Sequence, residues 1–304
     1  MITTLTGNNT FALRRRLNEL TGVFVLKYGD LALERFDGEE ADVQDIIDAL
    51  QSLPFLAQKK LVVIRNGGAN KQLAEQIEQI ISSIGDSTDV IFHEPQIDRR
   101  TAYFNLLKAK TQFEEFNELD AANLAKWLVD EAKKKQGRLN IADANYLIER
   151  LGTNQSLLAN ELNKLLLYEP EITRENIDLL TDPTPQSKIF ELLDAAFGGR
   201  KEQALRLYDE QRAQKVEPPA ILAMITWQLQ QIAIAKMAGN RPITEISNDS
   251  GLKEYPLRKA KSLADKLNDK QLKKMVSEAL EIDYRAKTTA LNMDEALKTY
   301  IVTL

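Results

Sequence analysis

Hydrophobic and polar positions follow two different periods along this chain, and the change between them divides it. Short strand-like stretches occur at Ile2–Leu5, Val23–Tyr28, Leu61–Ile64 and Asp89–His93, with a weaker one at Gln112–Asn117. The β-branched runs among them, bounded by turn residues, predict buried parallel strands. Between them apolar residues recur at helical spacing. Leu13, Leu17 and Leu20 mark a helix over Thr10–Leu20, and Val43, Ile46, Ile47 and Leu50 mark one behind an Asp42 cap. Leu73, Ile77, Ile80, Ile81 and Ile84 predict a helix over Lys71–Ile84, and Tyr103, Leu106 and Leu107 one over Arg99–Ala109. Strands alternating with helices, without tight hairpin turns, predict a parallel sheet covered on both faces. Residues 1–119 therefore read as an α/β domain.

After Asp120 the strand signal disappears. Asp120 caps a helix over Ala121–Lys135 that Gly137 closes, Asn140 caps one through Leu151 that Gly152 closes, Asn154 opens one to Tyr168, and Thr173 starts a short one. These make a small helical domain at 120–182, and Asp182-Pro183-Thr184-Pro185 then interrupts the chain as a linker would. Helices are predicted over Ser187–Phe197, Lys201–Gln214, Pro218–Ala238, Pro256–Leu267, Asp269–Ala290 and Met293 to the C-terminus, giving a larger helical domain at 183–304.

One stretch, Gln51–Asn66 (QSLPFLAQKKLVVIRN), organises the first domain. An apolar knot of Leu53, Pro54, Phe55 and Leu56 precedes the polar step Gln58-Lys59-Lys60 and the run Leu61-Val62-Val63-Ile64. Pro54 cannot sit inside a helix without cost, which places Leu53 and Phe55 at a helix-to-strand corner near the surface. An apolar corner of that kind can dock on a partner.

Composition narrows the chemistry. The 304 residues suit two or three domains, and 43% hydrophobic with 28% charged residues is the balance of an ordinary soluble globular protein. A net charge of −5 gives no global drive toward nucleic acid or anionic membrane. Without a membrane-length apolar run or a signal-peptide pattern, a cytoplasmic protein is expected. Cysteine is absent, so disulfides, thiol nucleophiles and thiolate metal sites are excluded. The turn after the first strand, Thr6-Gly7-Asn8-Asn9, starts like a phosphate-binding loop, but Ala12 and Leu13 stand where Gly-Lys is needed. Val90–Phe92 is followed by His93-Glu94-Pro95 instead of the acidic pair that positions Mg²⁺ and water. No ATP hydrolysis, cofactor or metal is expected. His93 is the single histidine and reads as packed or solvent-facing. Glu39-Glu40 and Glu114-Glu115 read as solvated pairs. Arg14-Arg15-Arg16 is a DNA-backbone contact or simply an exposed basic face, and Asp98-Arg99-Arg100, which starts a predicted helix, is read the same way. Trp127 and Trp227 lie on apolar helix faces, where packing outweighs base stacking.

The order of several segments resembles the delta subunit of the bacterial DNA polymerase III clamp loader. They are YGD at Tyr28–Asp30, the Gln51–Asn66 stretch, DRRTAYFNLLK at Asp98–Lys108, KWLVDEAKKKQGRLN around Trp127, NELNKLLLY at Asn160–Tyr168 and IDYRAKT at Ile282–Thr288. The resemblance implies a degenerate AAA+/RecA-like parallel α/β domain without a functional phosphate loop, a small helical lid-like domain and a C-terminal helical collar. It implies a non-catalytic subunit of a DNA-directed DNA polymerase (nucleotidyltransferase) holoenzyme. Its partners would be the sliding clamp (beta), ATP-hydrolysing gamma/tau-type subunits, a delta-prime-like subunit and primed DNA. In that family an apolar pair at the corner before the central strand binds the clamp, which matches Leu53 and Phe55 here, flanking Pro54 and beside Leu56. For the collar, the apolar positions Ile221, Leu222, Ile225, Leu229 and Ile232 exceed what a lone small bundle need bury, which predicts that part of that surface joins other subunits. An ATP-driven motor or regulator with an atypical nucleotide site, and a free-standing helical adaptor, are the alternative readings.

Overall fold

A computed structural model describes residues 1–55 and 57–304. It divides into two compact units, Met1–Leu119 and Asp120–Leu304. The first runs β1 (Ile2–Thr6), α1 (Thr10–Tyr28), β2 (Leu33–Asp37), α2 (Val43–Gln51), β3 (Lys60–Arg65), α3 (Lys71–Ser82), β4 (Thr88–Glu94), α4 (Ala102–Lys110) and β5 (Gln112–Glu115). The five strands form one sheet in the order β2-β3-β4-β1-β5. Every pairing is parallel, with Val62 opposite both Glu34 and Val90, and Thr4 opposite both Phe92 and Phe113.

Alternate residues of each strand serve opposite faces. Val62, Ile64, Val90 and Phe92 pack with Leu50, Leu73, Ile77, Ile80 and Leu107, so α2, α3 and α4 cover one face. Leu5, Leu61, Val63 and Ile91 pack with Leu13, Leu17 and Phe24 of α1 on the other. Because all strands are parallel, every strand-to-helix turn lies at the carboxyl rim of the sheet, and every helix-to-strand return lies at the amino rim.

Two predicted elements are corrected here. Val23–Tyr28 is not a strand: α1 continues through it and ends where the Gly29 N–H caps the Val25 carbonyl at 2.9 Å, with Gly29 at φ 86°. Leu13, Leu17, Thr21 and Phe24 keep a buried helical stripe to that point, which overrides the β-branched character of Val23 and Val25. The second strand is Leu33–Asp37, an edge strand whose charged, partly exposed residues hide its signal. Separately, α4 begins at Ala102, not Arg99, with the Thr101 hydroxyl accepting the Phe104 N–H at 3.2 Å.

The second unit contains α5 (Ala121–Lys134), β6 (Arg138–Leu139), α6 (Ile141–Leu151), α7 (Gln155–Tyr168), β7 (Glu171–Ile172), α8 (Arg174–Leu180), α9 (Pro185–Phe197), α10 (Lys201–Ala213), α11 (Pro218–Met237), α12 (Ile243–Ser250), α13 (Glu254–Ala264), α14 (Asp269–Thr288) and α15 (Met293–Thr303). Asp120, Asn140, Asn154 and Thr173 cap their helices as the sequence predicts. β6 and β7, a two-residue parallel pair, were not visible as strands, being too short to show a period. The polar helix α12 was also missed; it buries only Ile246 and closes on Gly251 in the left-handed region. The apolar face of α11 is a correction of substance. Ile221, Leu222, Ile225, Leu229 and Ile232 are all buried in the chain's own core with residues of α9, α10, α13, α14 and α15, leaving none of them for a partner.

Candidate functional site

The corner between α2 and β3 lies at the amino rim. Helix α2 must stop before the residue preceding Pro54, and Ser52 caps it in extended conformation, its N–H bound to the Asp48 carbonyl at 2.9 Å. Leu53 is 85% exposed and Phe55 73% exposed. Pro54 between them is half-buried, and Leu56 lies outside the described residues. On either side the chain is firmly anchored: Leu50 and Leu61 are buried, and Ala57 packs against the cluster containing Phe24. Apolar side chains so exposed beside a fully buried strand are an energetic liability for an isolated domain, and each would recover about 1.5 to 3 kcal/mol on burial.

At the carboxyl rim the loop after β1 is occupied by the chain itself. The Asn9 N–H donates to the Phe116 carbonyl at 3.0 Å, the Asn9 side chain accepts the Ala12 N–H at 2.9 Å, and the Asn8 side chain accepts the Glu118 N–H at 2.8 Å. The Asn9 N–H, which could otherwise face a phosphate, is therefore spent on the segment after β5, and the Ala12 N–H on the loop's own Asn9 side chain. Gly7 belongs to the same packing. At φ 119°, a Cβ there would lie 2.0 Å from the Phe116 carbonyl oxygen, so glycine is required by the close approach of the two segments. Of the two strands beside β1, β4 ends at His93-Glu94, and β5 ends in Glu114-Glu115, whose carboxylates are held by Arg16 and Arg99. Burial lowers the His93 pKa, with Arg65 acting in the same direction. Among the described residues no group of three or more metal-ligating side chains converges, and no helix is long and apolar enough to cross a membrane.

Comparison with known proteins follows the same division of the chain. A family model described as DNA polymerase III, delta subunit, matches residues 4–117, and one for the C-terminal domain of that subunit matches residues 186–304. A middle-domain model matches residues 121–179 between them. The chain belongs to the DNA polymerase III delta-subunit family. A curated relative, the DNA polymerase III subunit delta of Bacillus subtilis, is 24% identical over an alignment covering 99% of this chain and 91% of the relative. The solved structure of the Bacillus subtilis DNA clamp loader delta protein shares this fold with a TM-score of 0.80 at 22% identity, over 99% of this chain and 94% of that one.

In this delta-family chain Glu39 and Glu40 are exposed as the sequence reading expects, while some of the other charged candidates are paired. Arg16 is not a free basic face: its guanidinium forms two hydrogen bonds with the Glu114 carboxylate, at 2.8 and 2.9 Å, and a third with Glu19 at 3.1 Å. That pairing raises its pKa further and removes Glu114 from the solvated pairs. Arg14 and Arg15 remain exposed. Arg99 binds Glu115, and Arg100 binds Asp98 at 2.9 Å, so both belong to the turn before α4. Trp127 and Trp227 are half-buried on their helices. Sequence reasoning missed a third feature, an exposed ridge of Val276, Leu280 and Tyr284 along α14. The spacing of four residues was readable, but charged neighbours on the same helix masked it.

Proposed function

We propose that this chain is the clamp-binding subunit of a clamp loader, a cytoplasmic assembly that places a ring-shaped sliding clamp on primed DNA. The observation that carries this reading is the exposure of Leu53 and Phe55 at a corner flanked by the buried Leu50 and Leu61, in a chain of the delta-subunit family. Residues 1–119 would hold the clamp, 120–182 would act as a small helical connector, and 183–304 would form this subunit's part of a helical collar. The ridge on α14 supplies the apolar surface that the buried face of α11 cannot. ATP-hydrolysing subunits and a delta-prime-like subunit would complete the ring, with the exposed Arg14 meeting the DNA backbone.

The mechanism needs no covalent chemistry in this chain. A side-chain pair that fits a clamp pocket better when the clamp ring is open than when it is closed shifts that ring toward the open form. The amount of shift is limited by the difference in affinity for the two forms, and two buried side chains supply a hot spot of a few kcal/mol. ATP binding by the neighbouring subunits would govern when the corner is available.

The test is a paired measurement on Phe55→Ala. With its side chain in solvent, the variant should unfold within a few degrees of the parent, while its dissociation constant for the same organism's clamp rises about tenfold or more. Leu53→Ala should act in the same direction but less severely. A core phenylalanine would instead cost about 3 to 5 kcal/mol of stability. A large fall in melting temperature with unchanged clamp affinity overturns the reading.

A further inference from the structure

Resting on that reading, we propose that Lys60 is the positioning residue of the Leu53–Phe55 corner. Lysine is rarely fully buried unless it is paired, yet Lys60, the first residue of β3, is only 1% exposed. Its ammonium donates to the Ala49 carbonyl and, at 2.6 Å, to the Ser52 hydroxyl, and lies 3.7 Å from the Glu34 carboxylate. The Ala49 carbonyl is one of the last four of α2, which have no partner within the helix. A cation there also meets the negative end of the helix dipole.

The geometry explains why a charge is buried at this point. Loop residues 52–59 leave α2 and return to β3, and one side chain, rooted at the return, grips the departure. Both ends of the corner that carries Leu53 and Phe55 are thereby joined. An apolar residue could fill the same volume, but it would leave the Ala49 carbonyl without its ammonium donor and free the loop to sample other conformations. A contact residue presented in one arrangement loses less freedom on binding than one that must first be ordered. Lys60 touches no partner itself; it acts through the residues it holds.

The experiment compares full-length Lys60→Met, Lys60→Arg and Phe55→Ala for clamp affinity, thermal unfolding and amide hydrogen exchange across residues 52–59. Lys60→Met should accelerate exchange in that segment and weaken clamp binding by about tenfold while the chain stays cooperatively folded. Lys60→Arg, which retains donors on a long stem, should restore both. If Lys60→Met fails to fold, Ser52→Ala decides, because it removes one of the two anchors from an exposed position and should give faster exchange with a smaller loss of affinity. Full affinity in Lys60→Met, or in Ser52→Ala where that variant decides, alongside a weakened Phe55→Ala overturns the role of Lys60 alone. Full affinity in Phe55→Ala removes the clamp reading of the corner, and this proposal with it.

Discussion

The phenol of Tyr103 donates a 2.7 Å hydrogen bond to Oε1 of Glu94, joining α4 to the end of β4 in a buried site. The Gly68 N–H adds a contact to the same oxygen at 3.2 Å. Burial outweighs both and pushes the Glu94 carboxyl up to about 7 from an ordinary 4.5.

Stability should therefore depend on this carboxyl in a defined window. The folded state holds a proton that the unfolded chain releases near its ordinary value, so this contribution is fully present below about pH 4.5 and is lost as pH rises to about 7. The loss is about 3 kcal/mol at most. Glu94→Gln keeps an acceptor for Tyr103 and cannot ionise. Urea unfolding at pH 5 and pH 8 should show a smaller loss of stability in the variant than in the parent; an identical loss excludes ionisation of Glu94.

Nucleotide binding is expected to be absent in the isolated chain. The loop after β1 lacks the Gly-Lys pair, and its Asn9 N–H is held by Phe116. Titration calorimetry with Mg-ATP should show no saturable heat, and a micromolar dissociation constant would be incompatible with this account.

Assembly should fail when the ridge on α14 is made polar. Leu280 is exposed, so Leu280→Glu should move the unfolding midpoint little and leave clamp affinity intact while abolishing co-purification with the other loader subunits. If the variant co-purifies like the parent, α14 is not the collar contact.

The core of the second unit contains an unusual cost. Gln228 on α11 is fully buried, and neither its amide oxygen nor its nitrogen has a partner among the described residues. Gln228→Leu, which keeps approximate volume and removes both polar atoms, should raise the unfolding free energy by about 1 kcal/mol or more. Thermal unfolding of the two proteins measures it, and a lower midpoint in the variant contradicts it.

These residues also show what sequence can and cannot reveal. The interior strands were legible because Leu61–Ile64 and Val90–Phe92 are buried on both faces and so run apolar without interruption. Caps were legible because Asp42, Asn140 and Asn154 act through the adjacent backbone, within three residues of themselves. Val23–Tyr28 misled because β-branched residues suit a strand locally, while the stripe from Leu13 to Phe24 that makes it helical is set by the sheet it covers. The exposed corner was foreseeable from Pro54. The grip of Lys60 on Ala49 was not, since those residues lie 11 positions apart across the loop and meet only when α2 and β3 close on each other.

The parallel sheet keeps its degenerate loop and its apolar corner at opposite rims, separated along the six residues of β3 by roughly 20 Å. Substitutions at that distance with no shared partner combine almost independently. Such a domain can lose one capability at the first rim and refine another at the second without either change disturbing its neighbour. Its history at one end need leave no trace at the other, and a designer could rebuild the loop while leaving the corner as it stands.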